Sequence, residues 1–202
     1  MQNQLFNSML NALQQRENIL LTGMSATAGS YVISELARQT GTTTLCMVPD
    51  EEKAYDLLRD LKAFIDEQRL FLFLGRELIF LKENFSRVEE QRILTLRECI
   101  AHPRKQKIII ATPGAFMFPI MSPQQMEQLT IHLKVNEEQS LRNLLENLVA
   151  AGYKRSDTVS RTGEFALRGG ILDVFPVGDL EPCRIDFFGD YIDSMRRFNL
   201  DS

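Results

Sequence analysis

The sequence predicts an α/β domain with a parallel sheet and flanking helices over residues 1–122. A smaller α+β domain with an antiparallel sheet is expected over residues 123–202. Two observations lead to this fold class. In the first part, short apolar runs alternate with amphipathic stretches, the pattern of parallel strands linked by helices. After Pro119 that alternation ends, and from Tyr153 onward only strand and turn signals follow the last helix.

The first domain is expected to contain four parallel strands joined by right-handed helical crossovers, which is half of a doubly wound sheet. The strands are the apolar runs at 19–22, 43–48, 70–74 and 107–111. One helix is expected over 28–39, ending at Gly41, and another is expected to begin near Ser86. The helix between them has apolar residues at a 3.6-residue period: Ala54, Leu57, Leu58, Leu61 and Ile65.

The second domain begins with Pro123 and a glutamine-rich stretch, which indicate a junction, and continues with an alternating segment over 129–135. A helix follows, with Asn136 as its expected cap and Gly152 as its end. Its expected apolar stripe is Leu141, Leu144, Leu145, Leu148 and Val149. Strands are expected at 171–175, 183–188 and 191–198, with Gly189-Asp190 as the tight turn between the last two.

Composition excludes several classes of protein. Of 202 residues, 44% are apolar and 25% are charged, which is the balance of a globular domain. No apolar run reaches the roughly 18 residues of a membrane span, and the N-terminus lacks a signal peptide pattern, so a cytoplasmic protein is expected. Residues 1–120 carry 14 basic and 14 acidic side chains, and residues 121–202 carry 9 and 13. This charge argues against nucleic acid as a direct ligand.

The cysteines and histidines predict no metal site, and no cofactor is expected. Cys46, Cys99 and Cys183 are far apart in the sequence and odd in number, so they are interpreted as buried thiols. His102 and His132 have no second ligand or catalytic partner near them in the sequence.

Residues Gly23 to Ser30 occupy the place of a phosphate-binding loop, between the first expected strand and helix. The working motif, G-x-x-x-x-G-K-[ST], needs a lysine for the phosphates and a hydroxyl for Mg²⁺. Gly23 and Ser30 are in register, but Ala28 replaces the second glycine and Gly29 replaces the lysine. The sequence therefore predicts an inactive, degenerate loop, and a live nucleotide site is the less favoured alternative.

The strand at 183–188 has an unusual second face. Alternation places Cys183, Ile185 and Phe187 on one face, and Arg184, Asp186 and Phe188 on the other. An aromatic ring beside an arginine on a solvated face is typical of a protein interface, and Arg168 could join it across the Gly169-Gly170 turn. In the alternative interpretation, Phe188 packs beneath another element and Arg184 pairs with Asp186 or Glu181.

Three segments resemble the bacterial transcription-repair coupling factor (Mfd) family, in the N-terminal module that is homologous to the excision-repair protein UvrB. They are AGYKR at 151–155, GEFALRGGILDVFP at 163–176 and PCRIDFFGDYIDS at 182–194. UvrB keeps an intact phosphate loop and a tyrosine-rich hairpin, whereas this chain lacks the lysine and its four tyrosines are scattered. The resemblance implies a partial P-loop domain (RecA/UvrB-like), and it implies that the chain is an N-terminal piece of a longer protein.

The resemblance also implies a function and its residues. The chain would be a non-catalytic adaptor that recruits UvrA, linking removal of stalled RNA polymerase to nucleotide excision repair. The family's contacts to UvrA fall on Arg168, Arg184 and Phe188. RNA polymerase and double-stranded DNA would bind downstream domains of an ATP-dependent translocase, and no membrane partner is expected. A UvrB-like nucleotide-dependent repair helicase is the alternative.

Overall fold

The computed structural model describes residues 2–75, 87–117 and 119–200. Its described residues form two compact units. The first holds 2–75 and 101–117, and the second holds 87–100 and 119–200. The predicted domain boundary between residues 122 and 123 stays a prediction.

The first unit contains a three-stranded parallel sheet of order β1-β3-β2. Its elements in chain order are α1 (Gln2–Gln14), α2 (Ala26–Thr40), β1 (Thr44–Met47), α3 (Glu51–Leu61), β2 (Leu70–Phe73) and β3 (Ile108–Ala111), with short 3-10 turns at Glu67–Arg69 and Pro113–Phe116. Three of the four predicted strands are therefore confirmed. So are the helix that ends at Gly41, with φ of 66°, and the helix that Asp50 caps. Helix α3 ends before Ile65, the last residue of its predicted stripe.

The prediction of a strand at 19–22 is wrong. These residues form neither helix nor strand, and the side chain of Leu20 is 87% exposed. A run of four apolar residues does not determine a strand by itself, because a strand also needs a neighbour to pair its backbone N–H and C=O groups. In the described sheet β1 pairs with β3 alone.

The second unit contains a mixed five-stranded sheet of order β4-β5-β6-β7-β8. Its elements are α4 (Arg87–Ala101), α5 (Pro123–Leu129), α6 (Leu141–Ala150), β4 (Lys154–Arg155), β5 (Glu164–Arg168), β6 (Ile171–Val174), β7 (Cys183–Phe188) and β8 (Tyr191–Arg197). Strands β6, β7 and β8 are antiparallel, as predicted. Strand β5, which was not predicted, pairs antiparallel with β6, and β4 pairs parallel with β5. The α/β and α+β fold class is confirmed, with a sheet that is mixed rather than wholly antiparallel. The helix predicted to begin near Ser86 forms from Arg87, and Ser86 lies outside the described residues.

Residues 123–129, expected to lie at a junction, form helix α5, which begins with Ser122 and Gln125 in a reciprocal capping box. Two local predictions in this unit are wrong. The cap of α6 is Ser140, whose hydroxyl accepts from the N–H of Asn143, whereas Asn136 lies in a turn with φ of 66°. The stripe of α6 does not include Val149, which is 60% exposed because it lies at the edge of the helix face that packs on the sheet.

The core of the second unit lies between α6 and one face of its sheet. Leu144 and Leu148 of α6 pack with a set of buried strand residues: Phe165, Leu172, Val174, Ile185 and Ile192. In the alternating segment 129–135, Ile131 and Leu133 add to this core without forming a strand. Alternation along each strand therefore turns the remaining side chains to the opposite face of the sheet. No helix among the described residues is long and apolar enough to cross a membrane.

Two-residue turns set the register at the closed end of two hairpins in this sheet, and the pairing of β7 with β8 shifts once, between Asp186 and Phe187. Arg168 pairs with Ile171 across Gly169-Gly170, and Phe188 pairs with Tyr191 across Gly189-Asp190, as predicted for the second turn. Gly169 and Gly189 adopt φ of 60° and 63°, a conformation that few other residues tolerate. Gly170 is required for another reason: a Cβ there would lie 2.9 Å from the carbonyl oxygen of Phe187.

We expect Gly170→Ala to destabilise the chain by about 1–3 kcal/mol, because the added methyl group overlaps backbone that cannot move freely. The matched control is Gly169→Asn in the same turn, since asparagine tolerates positive φ and the space around Gly169 is open. Urea unfolding of both variants checks this. Equal stability of the Gly170 variant and the parent would show that the close approach does not constrain the turn.

A buried carboxylate holds the loop that precedes β5. The side chain of Glu164 is 10% exposed. It accepts hydrogen bonds from the N–H and hydroxyl of Ser160, both at 2.9 Å, and from Nε of Arg161 at 3.1 Å. Burial alone would raise the pKa of Glu164, but these hydrogen bonds and the one from the N–H of Arg161 outweigh it and lower the pKa below its usual value.

A lowered native pKa means that ionised Glu164 stabilises the fold above its unfolded pKa, and that this stability is lost as pH falls through the native pKa. We expect Glu164→Gln to lower the free energy of unfolding by about 1–3 kcal/mol at about pH 7 and by much less at about pH 3. Denaturant titrations at both pH values measure this difference. The control is Glu146→Gln on α6, where the carboxylate is exposed and a change within about 0.5 kcal/mol is expected. A Glu164 defect of equal size at both pH values would contradict the electrostatic explanation.

Candidate functional site

The two faces of β7 differ as the alternation predicts. Cys183, Ile185 and Phe187 contact the core beneath α6. Arg184, Asp186 and Phe188 therefore lie on the opposite face, which we call the outer face of the sheet. Near the start of β5 this face is covered by a small cluster of Val159, Ala166 and Phe175. Toward the two tight turns its side chains are more exposed.

The register of the sheet brings Arg168 to the same face. Residues that pair across antiparallel strands point to the same side, and Arg168, Ile171 and Asp186 form one such row over β5, β6 and β7. Two strand spacings, about 10 Å, separate Arg168 from β7, and about 13 Å of strand separates Arg184 from Phe188. The three residues predicted to contact a partner thus lie on one open surface.

Phe188 is the most exposed aromatic side chain of this surface, at 82%. Its cross-strand partner Tyr191 is 53% exposed, and Ile171 in the neighbouring row is 40% exposed. The alternative in which Phe188 packs beneath another element is therefore wrong for the described part of the chain. Phe188, Tyr191 and Ile171 therefore form an exposed apolar patch on the outer face. Apolar surface is unfavourable in water, so a partner that covers this patch gains binding free energy.

The guanidinium of Arg184 is already held by its own chain. Nε and Nη2 donate to the two carboxylate oxygens of Asp173, at 2.6 Å and 2.8 Å. The ring of Phe198 lies against the guanidinium, with its centroid 4.9 Å from Cζ. Pairing with Asp186 or Glu181 was the expected alternative, and the structure places neither of them in this ion pair.

Electrostatics on this face follow from these pairs. The hydrogen bonds to Asp173 raise the pKa of Arg184 above its usual value, against a smaller opposing effect of burial. Asp186 accepts from the hydroxyl of Ser194 at 2.6 Å and from the guanidinium of Arg196. The Ser194 hydrogen bond is the main cause of a lowered pKa at Asp186, and Arg196 adds to it. The oxygens of Asp173 and Asp186 are therefore both engaged in hydrogen bonds to side chains of the same sheet.

Arg168 is more loosely held. Its Nη2 donates to the backbone carbonyl oxygen of Asp157 at 3.3 Å, and the contact is exposed. Asp157 belongs to the loop before β5, in which Ser160 and Arg161 donate hydrogen bonds to Glu164. Most N–H donors of the Arg168 guanidinium therefore remain available to a partner, while the hydrogen bond to Asp157 orients the side chain.

The residues of the degenerate phosphate loop are not arranged as a cradle for phosphate. Helix α2 begins at Ala26, so Gly29 and Ser30 lie inside the helix and only Gly23 lies in the loop before it. Ser30 is buried, and its hydroxyl donates to the carbonyl oxygen of Ala26 at 3.2 Å. Its hydroxyl is therefore engaged by the helix itself, and Gly29 and Ser30 form part of α2 rather than of a loop.

The cysteines are half-buried free thiols rather than fully buried ones. Burial raises the pKa of Cys46 to about 11, so this thiol is protonated and unreactive at neutral pH. Within the part of the chain that the structure describes, no group of His, Cys, Asp or Glu side chains could hold a metal ion.

Two residues of the outer face were missed from the sequence. Asp173 and Phe198 hold Arg184, yet they lie 11 residues before it and 14 residues after it in the chain. Asp173 could have been noticed as a buried acidic residue within the apolar strand Ile171–Val174. A buried carboxylate needs a cationic or hydrogen-bonding partner, and that requirement was the available signal.

Comparisons with known proteins match one part of the chain to a family and nearly all of it to curated relatives. Residues 131–202, which contain α6 and the whole five-stranded sheet, match the family described as the UvrB interaction domain. The chain is 34% identical over 200 residues to a transcription-repair-coupling factor of Staphylococcus aureus (strain USA300), covering 96% of this chain and 16% of that protein. It is 30% identical over 198 residues to the transcription-repair-coupling factor of Bacillus subtilis (strain 168), covering 97% of this chain and 17% of that protein.

The chain thus spans about a sixth of the length of the curated relatives that it matches. The similarity extends over both compact units and is not confined to the five-stranded sheet. Over 96% of its length the chain is therefore similar to a part of the transcription-repair-coupling factors, and its residues 131–202 match the family described as the UvrB interaction domain.

Proposed function

We propose that the chain is a non-catalytic adaptor that recruits UvrA through the outer face of its five-stranded sheet. Phe188, Arg168 and Arg184 are the contact residues. The observation that carries the proposal is the exposed ring of Phe188 on the same face as two arginines that the chain itself holds in place. Exposed aromatic and arginine side chains dominate the binding energy of protein interfaces.

The chemistry of this face suits a partner with an apolar pocket flanked by carboxylates. Phe188 supplies apolar area, and the guanidinium groups supply charge-assisted hydrogen bonds to acidic side chains. The domain match supports a partner from the excision-repair machinery, since its family is described as a UvrB interaction domain.

The same proposal assigns the wider role. The relatives are transcription-repair-coupling factors, so we place UvrA recruitment in the step that links removal of stalled RNA polymerase to nucleotide excision repair. Binding of RNA polymerase and of double-stranded DNA, with ATP-driven translocation, belongs in this proposal to parts of such proteins outside these residues. Nucleotide hydrolysis by the chain itself is not proposed, because Gly29 stands where the phosphate-binding lysine would be.

We expect Phe188→Ala and Arg168→Ala each to weaken UvrA binding by at least about 30-fold, the loss typical of an interface anchor. Neither side chain is buried, so the stability of the folded chain is expected to change by no more than about 0.5 kcal/mol. Calorimetric titration of UvrA with the 202-residue chain measures the affinity, and thermal unfolding confirms the fold.

Matched controls come from α6, which packs on the other face of the sheet. Val149→Ala removes an exposed apolar side chain, and Arg142→Ala removes an exposed arginine, so both are expected to bind UvrA like the parent. Unchanged affinity in the folded Phe188 and Arg168 variants would reject the assignment of the outer face. Weaker binding in the α6 variants alone would place the interface on the opposite side.

A further inference from the structure

The ion pair of Arg184 and Asp173 divides the guanidinium into a used edge and an unused end. The Nε–H and one N–H of Nη2 point to Asp173. An arginine carries five N–H donors, so two on Nη1 and one on Nη2 remain. Among the described residues, Asp173 is the side chain that hydrogen-bonds this guanidinium, and the Arg184 side chain is 33% exposed.

The surroundings of the pair hold it in one orientation. The Asp173 side chain is only 8% exposed, on a central strand directly opposite Arg184 in the register. The ring of Phe198 covers one side of the guanidinium plane, with 4.9 Å from Cζ to the centroid. A guanidinium clamped at its edge and on one side can present its unused end to a partner without further ordering.

We infer that Asp173 is a positioning residue of the outer face. It orients Arg184 so that the Nη1 end, with the outward N–H of Nη2, receives a carboxylate of the docking partner. This inference rests on the proposed recruitment of UvrA, and it adds the geometry and the ligand chemistry at one contact. Asp173 itself does not touch the partner, because its side chain is only 8% exposed and lies against Arg184.

The inference predicts that position 184 requires arginine. A lysine would satisfy Asp173 with a single ammonium group and leave no second, planar end for another carboxylate. It also separates Asp173 from Asp186, the other acidic residue on this part of β6 and β7. Asp186 accepts hydrogen bonds from Ser194 and Arg196. It raises the pKa of Arg184 through its charge alone, without a hydrogen bond to it.

The test is a double-mutant cycle of Asp173→Asn and Arg184→Gln, with UvrA affinity as the readout. Asparagine keeps the size of Asp173 but turns an amide N–H₂ toward the arginine donors, which releases the guanidinium. We expect Asp173→Asn to weaken UvrA binding about tenfold when Arg184 is present, the loss expected for a charge-assisted hydrogen bond. In the Arg184→Gln background the same change is expected to have less than about a twofold effect.

Each outcome decides between the positioning role and its alternatives. Equal losses in both backgrounds would show a merely structural role for Asp173 and overturn the inference. Weaker binding by Phe188→Ala with no effect of Asp173→Asn would also overturn it, while leaving UvrA recruitment in place. No effect of any of these variants would reject the docking face itself. The control is Asp186→Asn in the adjacent row, for which less than about a threefold change is expected because it does not hold Arg184.

A second variant keeps the inference testable if Asp173→Asn fails to fold. Arg184→Lys preserves the charge beside Asp173 and is expected to fold, yet it lacks the second end of the guanidinium. We expect about tenfold weaker UvrA binding from the loss of that contact. Parent-like affinity of a folded Arg184→Lys chain would contradict the inference.

Discussion

The exposed chemistry of the second unit depends on a sheet that α6 covers on one face. Alternation along β5, β6 and β7 sends every second side chain into the core between α6 and the sheet, where Leu144 and Leu148 pack. The intervening side chains must then lie on the outer face, whatever their chemistry. Near β4 the loop before β5 covers part of that face through Val159. Beyond this loop, Phe188 and Arg168 are exposed and Arg184 is partly exposed, so a second protein can replace water around them.

The glycine turns protect this arrangement because they fix the register. A slip of one residue would turn Phe188 and Arg184 into the core and bring Ile185 to the surface. Turns of two residues oppose such a slip beside the turn, and Gly170 adds a close backbone contact to Phe187. The one irregularity of the β7–β8 pairing, between Asp186 and Phe187, leaves the alternation of β7 unchanged. The density of glycine around the outer face is thus part of how the binding residues are placed. It connects a local backbone requirement to the composition of the proposed interface.

Much of the fold was predictable because its signals are local. The faces of β7, the turn at Gly189-Asp190 and the end of α2 at Gly41 follow from periodicity and from residues that favour turns or helix ends. The prediction of a strand at 19–22 failed because strand pairing is not a local property. The cap of α6 was assigned to Asn136 rather than Ser140 because both residue types are good caps and the sequence does not distinguish them. Two strands of the second sheet, β4 and β5, were not anticipated, and one of them carries Arg168.

The partners of the site residues were harder to predict than the residues themselves. The pairing of Asp173 with Arg184 depends on the register between β6 and β7, which an eight-residue connection over 175–182 does not determine. Phe198 reaches Arg184 only after β8 has returned along the sheet. The sequence alone therefore predicts the exposed face, whereas the residues that hold Arg184 are determined by the register and the path of the strands.

The most direct test of the central claim is site-specific photo-crosslinking of the 202-residue chain to UvrA. A photoreactive phenylalanine analogue at position 188 probes the outer face, and the same analogue at position 149 probes the outside of α6, which lies on the other side of the sheet. The account predicts a crosslink to UvrA from position 188 and none from position 149. A crosslink from position 149 with none from position 188 would contradict it.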